Sequence, residues 1–327
     1  MRVGNPERMT RIAGIWDLRR SGGSLGTLLI LLEELQIQRR IHDADAIHVV
    51  IVPDAGDLVG GMSSELADGT GDALRGSDFD KLGLMAKVSR AMSGVADCHV
   101  CIGQEAIRNV KNLMRIGCVP WPDPELLVRG KHCYDSTRVV QDFYSHAGDI
   151  PRLSMRADLV AWANAYMKEK SQGRLPVAVH LKNNPQISGQ SNANVDSWFA
   201  FMADCQKEHE VQFFLVGDDP TDARFRALRN VTIAQEDRLT FDLHLALIQV
   251  AGLFMGMMSG PANMALFGKN PYLIFKNPDH HVREMAMELG ESDRYPFALP
   301  HQRVLRAWDT TENLISAFGN VIRQVAT

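Results

Sequence analysis

The chain has 327 residues, of which 45% are hydrophobic and 23% are charged, as in ordinary globular proteins. Its formal net charge of -4 gives no general attraction to nucleic acid or to an anionic membrane, so neither is expected as a partner. No apolar run approaches the ~18 residues of a transmembrane segment, and the first residues lack the apolar core of a signal peptide. We therefore expect a cytoplasmic protein, with two domains at about 150 residues each.

The first half alternates predicted strands and helices. A short apolar strand covers 11–16, a polar loop 17–26 and a leucine-rich helix 27–40, and a β-branched strand at 47–52 is ended by Pro53 and Asp54. This order predicts a βαβ unit with parallel strands. A glycine-rich loop at 59–76, a helix at 79–92 and strands at 98–102 and 117–119 follow.

The pair Cys98 and Cys101 has the C-x-x-C spacing of a zinc half-site or a redox motif. A second pair of ligands at comparable spacing is missing, so we interpret both as structural cysteines in a buried strand. The five cysteines are scattered and predict no disulfide framework. No metal site is expected.

The second half repeats the alternation after a polar stretch at Gly173, where we place the domain boundary, giving domains 1–172 and 173–327. Strands are predicted at 177–181, 212–216, 231–234, 253–257 and 272–275, and helices at 195–208, 241–250 and 262–267. Residues 310–312 can cap a last helix, whose apolar positions run from Leu314 to Val325. The fold class is therefore α/β, with two Rossmann-like domains facing a cleft and a C-terminal helix. In such folds, ligands bind beyond the carboxyl ends of the strands.

The loop after the first strand reads "DLRRSGGSLGT". Its glycines, Gly22 and Gly23 among them, permit close backbone approach, and Arg19 and Arg20 supply charged donors. The spacing does not match the dinucleotide fingerprint or the P-loop. It indicates either a loop that binds the acceptor or a phosphate, or a turn with solvated arginines.

Two further loops follow strands in the second half. In "HLKNNP", His180, Lys182 and Asn183 suit phosphate or sugar oxygens, although a surface turn is the alternative. In "GDDP", Gly217 and Asp218 suit ribose hydroxyls or a metal, and the turn interpretation is favoured there. His244, in the following helix, is interpreted as a packed or exposed side chain rather than a catalyst.

A strand-to-helix turn at Ser259, Gly260 and Pro261 completes the set. Gly260 lets the backbone pass close to a ligand, and Pro261 fits the first position of a helix. The helix that begins Ala262-Asn263 is then expected to offer free N–H groups to an anion such as a diphosphate.

These residues carry a resemblance to a known family. "AGLFMGMMSGPANMALFGKNPYLIF" is similar to the nucleotide-sugar-binding segment of GT-B glycosyltransferases such as the lipopolysaccharide heptosyltransferases, and the similarity extends over about 175–277. It implies that the donor's phosphates contact Ser259, Gly260, Pro261, Asn263 and Met264, and that Lys182 lies at a diphosphate-binding position. "VAVHLKNNP" together with "GGSLG" also resembles fucosyltransferase-like GT-B enzymes, which carry arginine where Lys182 stands.

One departure concerns the catalytic base. The heptosyltransferases have an aspartate in the first loop, and alignment through Thr27 puts Gly23 at its position. Asp17 is the nearest substitute, and Asp54 and Asp57 are weaker candidates.

The resemblance implies a glycosyltransferase of glycan biosynthesis. Such an enzyme transfers a hexose or heptose from a nucleotide-diphosphate-sugar to a hydroxyl acceptor, without a metal or other cofactor. Two alternatives stay open: an inactive GT-B-like module that binds a glycan or nucleotide, and a nucleotide-sugar epimerase on the same fold, which needs paired acids.

Overall fold

The structure is a computed structural model that describes residues 10–21, 23–53, 76–101, 104–129, 132–184 and 189–325. Residue contacts divide the chain into two compact units, Met1–Ser136 and Thr137–Thr327. The boundary precedes the predicted one at 172/173. The reason is that a helix at Ala157–Ser171 packs on the strands and helices of the second unit.

The first unit is built on a four-stranded parallel sheet in the order β3-β2-β1-β4. Its elements are β1 (Arg11–Asp17), α1 (Leu25–Ile41), β2 (Ala46–Val52), α2 (Gly76–Ala91), β3 (Val95–Val100), α3 (Gln104–Arg115), β4 (Cys118–Trp121) and α4 (Pro124–Val128). The predicted βαβ unit is confirmed, and helices α3 and α4 were missed. Most of the predicted glycine-rich loop lies outside the described residues, as do Asp54 and Asp57.

The second unit is built on a six-stranded sheet whose strand pairs are also parallel. Its elements are α5 (Arg138–Ala147), α6 (Ala157–Ser171), β5 (Leu175–His180), α7 (Val195–Glu208), β6 (Val211–Leu215), β7 (Val231–Ile233), α8 (Phe241–Val250), β8 (Leu253–Met257), α9 (Ala262–Leu266), β9 (Tyr272–Lys276), α10 (Val282–Leu289), β10 (Gln302–Arg306) and α11 (Thr311–Val325). Sequence patterns missed α5, α10 and β10. The α/β class with a Rossmann-like sheet in each unit is confirmed.

The strand order of the second sheet is β10-β9-β8-β5-β6-β7. The chain runs outward from β5 through β6 to β7, then returns to the other side of β5 and continues through β8 and β9 to β10. The direction of winding therefore reverses between β5 and β8. At such a reversal the loops after the two neighbouring strands diverge, which opens a place for a ligand at their carboxyl ends.

The core that supports this edge is rich in aromatic side chains. Trp198 and Phe201 of α7 pack with Phe213 of β6, Phe275 of β9 and Phe318 of α11, with ring centroids 5.3–6.2 Å apart. All five are essentially buried.

Among the helices with described residues, none is both long and apolar enough to cross a lipid bilayer.

Candidate functional site

His180 lies at the centre of the reversal point in the second sheet. It is the last residue of β5 and is 1% exposed. Two glycines make room for it: a Cβ on Gly217 would lie 2.4 Å from the imidazole Cδ2, and one on Gly256 would lie 2.5 Å from the His180 carbonyl oxygen. Gly217 also has a φ of +101°, which side chains disfavour. The histidine and the neighbouring strand ends therefore fit only with glycine at both positions.

A chain of polar contacts joins the loops on either side of β5 through this histidine. Its Nδ1 lies 2.9 Å from Ser259 Oγ, in the loop after β8, at hydrogen-bond distance. Its Nε2 lies 3.3 Å from Asp219 Oδ2, in the loop after β6, without hydrogen-bond geometry. The side chain of Ser259 is thus oriented by a buried imidazole, and a carboxylate faces the other side of the ring.

The loop after β6 is held by two residues that the sequence did not single out. The Gly217 amide donates to Nδ1 of buried His244, and Gln235 Nε2 donates to the carbonyls of Gly217 and Asp219. Burial lowers the pKa of His244, which keeps the ring neutral and Nδ1 able to accept. The interpretation of His244 as a packed side chain is confirmed. Asp218 is exposed on the same loop.

Lys182 follows β5 by two residues and is half-buried. Its carbonyl accepts the Ala193 amide, which fixes the main chain, and within the described ranges its ammonium has no ion-pair or hydrogen-bond partner. Burial lowers the pKa of Lys182, and the Asp219 carboxylate opposes that shift. The side-chain amide of Asn183 donates from Nδ2 to the Pro220 carbonyl oxygen at 2.9 Å, so it supports the loop after β6.

The Ser259-Gly260-Pro261 turn follows β8 as predicted, but the expectation of free helix amides is wrong for two positions. The amide of Asn263 donates to Gly260 O at 3.1 Å, and that of Met264 donates to Pro261 O at 3.0 Å. The reason is that α9 has only five residues and its first turn closes on the loop carbonyls. The Met264 side chain is fully buried. The Ser259 hydroxyl is therefore the main polar group that this turn presents.

A second Lys-Asn pair was missed. Lys276 ends β9 and Asn277 follows it, just as Lys182 and Asn183 follow β5. Lys276 is 8% exposed, and its Nζ lies 2.9 Å from His280 Nδ1. The sequence signal was available, since "HLKNNP" and "IFKNPD" have the same pattern of an apolar strand, lysine and asparagine.

In the first unit, Asp17 ends β1 and is buried. Its two carboxylate oxygens accept from Nε and Nη2 of Arg19, both at 2.7 Å, and Arg20 Nε lies 3.8 Å from Oδ2. Its amide donates to Tyr134 Oη, which donates to Ile15 O. The predicted cluster of Asp17, Arg19 and Arg20 is thus brought together as an ion-paired group.

The glycine loop after this strand ends in a helix cap. Gly23 has a φ of +58°, and the Ser24 side chain accepts the amide of Thr27 at the start of α1. One of the helix amides that could receive an anion is therefore already used. Gly22 lies outside the described residues.

A buried acid and imidazole lie below this loop in the first unit. Glu34 Oε2 accepts from Trp121 Nε1 at 2.8 Å and lies 3.4 Å from His132 Nε2. Burial raises the pKa of Glu34 to about 8, partly opposed by the Trp121 hydrogen bond, and burial lowers the pKa of His132 to about 4. At neutral pH both groups are therefore mainly uncharged.

This pair gives a pH dependence of stability with a definite sign. The pKa of Glu34 is about 8 in the folded chain against an ordinary 4.5, so its contribution is complete below pH 4.5 and is lost as the pH rises to 8. The contribution of His132 to stability changes in the opposite direction: it grows as the pH rises from about 4 to the ordinary pKa of 6.5, and it is constant above that pH. The unfolding free energy of the wild type should therefore fall by about 2 kcal/mol between pH 6.5 and 8, and that of Glu34→Gln should not show this fall.

Urea denaturation at the two pH values measures this effect. The exposed Glu125→Gln variant, in the same unit, is the matched control and should keep the wild-type pH dependence. An unchanged pH dependence in Glu34→Gln would show that Glu34 is ionised in the folded chain.

The serine–histidine–carboxylate contacts also occur in acyl hydrolases, where the serine attacks a carbonyl. That chemistry needs N–H donors for the oxyanion beside the serine, and the amides of Asn263 and Met264 are used within the turn. The arrangement fits better as a set of donors for a ligand's oxygen atoms. Among the described residues, no group of three or more His, Cys, Asp or Glu side chains is placed to hold a metal ion.

Comparison with known proteins gives matches only at the level of structure. No protein-family model and no curated protein sequence matches the chain. The structure is similar to the glycosyl transferase family 9 protein of Veillonella parvula, with a TM-score of 0.57, 10% identity and coverage of 96% of this chain and 97% of that one. It is also similar to the E. coli ADP-heptose lps heptosyltransferase II, with a TM-score of 0.53, 11% identity and coverage of 97% of this chain and 100% of that one.

These likenesses confirm the predicted fold, two Rossmann-like domains of the GT-B type, and the resemblance to heptosyltransferase-like proteins at the level of the fold.

Proposed function

We propose that this protein is a glycosyltransferase that moves a hexose or heptose from a nucleotide-diphosphate-sugar to the hydroxyl of a glycan or another acceptor. The observation that carries the proposal is the His180–Ser259 hydrogen bond across the reversal point of the second sheet. It places an oriented hydroxyl at the strand ends where α/β folds bind nucleotides. The Lys182 ammonium, which has no ion-pair partner among the described residues, lies on the loop after the same strand as His180. A hydroxyl and an ammonium are donors that suit a diphosphate.

The roles follow from the chemistry of the transfer. The second unit holds the donor, with its diphosphate on Lys182 and the Ser259-Gly260-Pro261 turn. His180, Asn183, Gly217, Asp218, Asn263 and Met264 complete the proposed donor site, most of them by shaping its loops. The first unit holds the acceptor near Asp17, Arg19, Arg20, Gly22 and Gly23.

In the reaction, the acceptor oxygen attacks the anomeric carbon while its proton passes to the Asp17 carboxylate. The bond between the anomeric carbon and the phosphate oxygen breaks, and the nucleoside diphosphate leaves with the negative charge. Cationic side chains stabilise that charge as it grows, and in the proposed mechanism they do so without a metal.

Thermal unfolding with UDP, GDP, ADP and CMP tests the donor class. A ligand at 100 times its Kd stabilises the folded chain by about 2.7 kcal/mol, which raises the Tm by several degrees in a protein of this size. We expect one nucleoside diphosphate to raise the Tm and Ser259→Ala to reduce that shift. A Tm unchanged by all four nucleotides would contradict the proposal.

The pairing of Asp17 favours a second candidate, an inactive module that binds a nucleotide or glycan. Both oxygens of the proposed base accept hydrogen bonds from one guanidinium, a pairing that suits a structural role. The two candidates differ in turnover. An active enzyme releases the nucleoside diphosphate from the nucleotide sugar in the presence of an acceptor, whereas the module binds it and leaves it intact.

A further inference from the structure

A cavity of about 210 Å³ lies beside the end of β9, in the second unit. Its polar lining comes from Lys276, Asn277, His280 and Arg306, and the side chains of Val282 and Met285 contribute apolar surface. We call it the Lys276 cavity. It has room for a small anion or several water molecules.

The charge in this cavity is positive, because Lys276 and Arg306 line it and none of the residues described in its lining is acidic. Lys276 is nearly buried, and the partner that the structure gives its ammonium is Nδ1 of His280, at 2.9 Å. Burial, and the charge of Lys276, lower the pKa of His280 to about 4, so the ring is neutral and accepts this hydrogen bond. Among the described residues, no carboxylate forms an ion pair with Lys276.

The other charged groups around Lys276 do not change the sign. Lys182 adds positive charge from the β5 side, and Arg306 lines the cavity from β10. Glu284 of α10 is the acid that acts on Lys276, and its carboxylate lies 3.7 Å from His281 Nδ1. A buried ammonium without a carboxylate is costly, and an anion beside it would offset that cost.

We propose that the Lys276 cavity is a binding site for an acidic group, a phosphate or a carboxylate, carried by the substrate. It is separate from the diphosphate position at Lys182. Strands β5 and β9 lie on opposite sides of β8, so their ends are about 10 Å apart at the usual strand spacing.

The substrate class follows if the proposed function holds. A nucleotide sugar whose diphosphate lies at Lys182 would place a second acidic group, on the sugar or on the acceptor, in the Lys276 cavity. The assignment to a sugar substrate rests on the proposed function, whereas the affinity for a small anion does not.

Calorimetric titration of the full chain with inorganic phosphate at pH 7 tests the site. We expect saturable binding that weakens about 10- to 100-fold in Lys276→Gln, because a charge-assisted hydrogen bond is removed from a partly buried anion. Lys276→Arg should retain binding, and the exposed Lys269→Gln is the matched control. Equal affinity in wild type and a folded Lys276→Gln variant would overturn the proposal. A second titration, with acetate, shows whether the cavity selects phosphate or also accepts a carboxylate.

Proton uptake gives a readout that a purely structural lysine would not change. Burial, with a smaller effect of Lys182, lowers the pKa of Lys276 to about 8, and Glu284 opposes this. An anion favours the charged ammonium, so sulfate binding at pH 8 should take up a fraction of a proton, and at pH 6 almost none. Titration in two buffers of different ionisation enthalpy measures this, and uptake that persists in Lys276→Gln would contradict the site.

The phosphate titration is then repeated in the presence of whichever nucleoside diphosphate raises the Tm. Continued binding of phosphate supports a separate subsite, and competition would show that the cavity belongs to the diphosphate position. If no nucleotide raises the Tm, the proposed function fails, and the phosphate titration alone still decides whether the cavity binds anions.

Discussion

Asp17→Asn should lower kcat about 10²- to 10⁴-fold, the usual contribution of a general base, while the affinity for the nucleoside diphosphate stays near that of the wild type. The amide is nearly isosteric with the carboxylate, but it does not accept the acceptor's proton. The measurement is release of the nucleoside diphosphate from a nucleotide sugar. Thermal unfolding identifies the nucleotide of that donor, and a screen for product release identifies an acceptor.

Two controls separate a catalytic effect from a structural one. Asp45→Asn changes an exposed aspartate at the opposite end of the neighbouring strand β2 and should leave kcat unchanged. The Asp17 carboxylate also pairs with Arg19, so the Tm of the variant must be compared with the wild type. Full turnover in Asp17→Asn would rule out Asp17 as the base and direct the search to other acids of the first unit.

The pH profile adds a further test of the same residue. The acidic limb of kcat/KM reports the base of the free enzyme, so replacing that base by an amide removes the limb. An acidic limb that is unchanged in Asp17→Asn would mean that another group accepts the proton.

Lys182→Gln should lower kcat about 10²- to 10³-fold, the usual loss when one donor to a developing negative charge is removed. The affinity for the nucleoside diphosphate should fall as well, because the ammonium would contact it in the ground state. The fold should be unaffected or slightly stabilised, since a half-buried charge without an ion-pair partner among the described residues is removed while its carbonyl still accepts the Ala193 amide.

Lys269→Gln is the matched control for this variant. Lys269 is an exposed lysine of the same unit, between α9 and β9, and its substitution should change neither kcat nor affinity. Lys182→Arg should keep much of the activity, because a guanidinium also binds phosphate oxygens. Wild-type turnover in Lys182→Gln would contradict the diphosphate role of Lys182.

The order of these elements was predictable because it depends on local patterns. Helices α7 and α8 and strand β8 were predicted with the bounds that the structure shows. They are rich in buried apolar residues, and Asn194 and Gly252 mark two of their ends. Elements with fewer buried residues were missed: α5 has one buried residue along its length, and β10 is partly exposed.

The candidate site was predicted in part for the same reason. Loops that follow parallel strands meet at one edge of a sheet, so His180, Gly217 and Ser259 were expected near one another from sequence position alone. Their pairing was not predictable. The contact of His180 with Ser259 joins residues 79 positions apart, and the hydrogen bond from Gly217 to His244 joins two loops through a helix side chain.

The sequence by itself determined the α/β class, the repeated strand-helix order and the positions of the loops that carry polar groups. These follow from periodicity and turn chemistry, which act over a few residues. Only the tertiary structure shows the distant partners: the His180 ring lies at hydrogen-bond distance from Ser259 Oγ, the Gly217 amide donates to His244, and Glu34 accepts from Trp121. Burial and charge pairing depend on which distant strands become neighbours, and no local pattern contains that information.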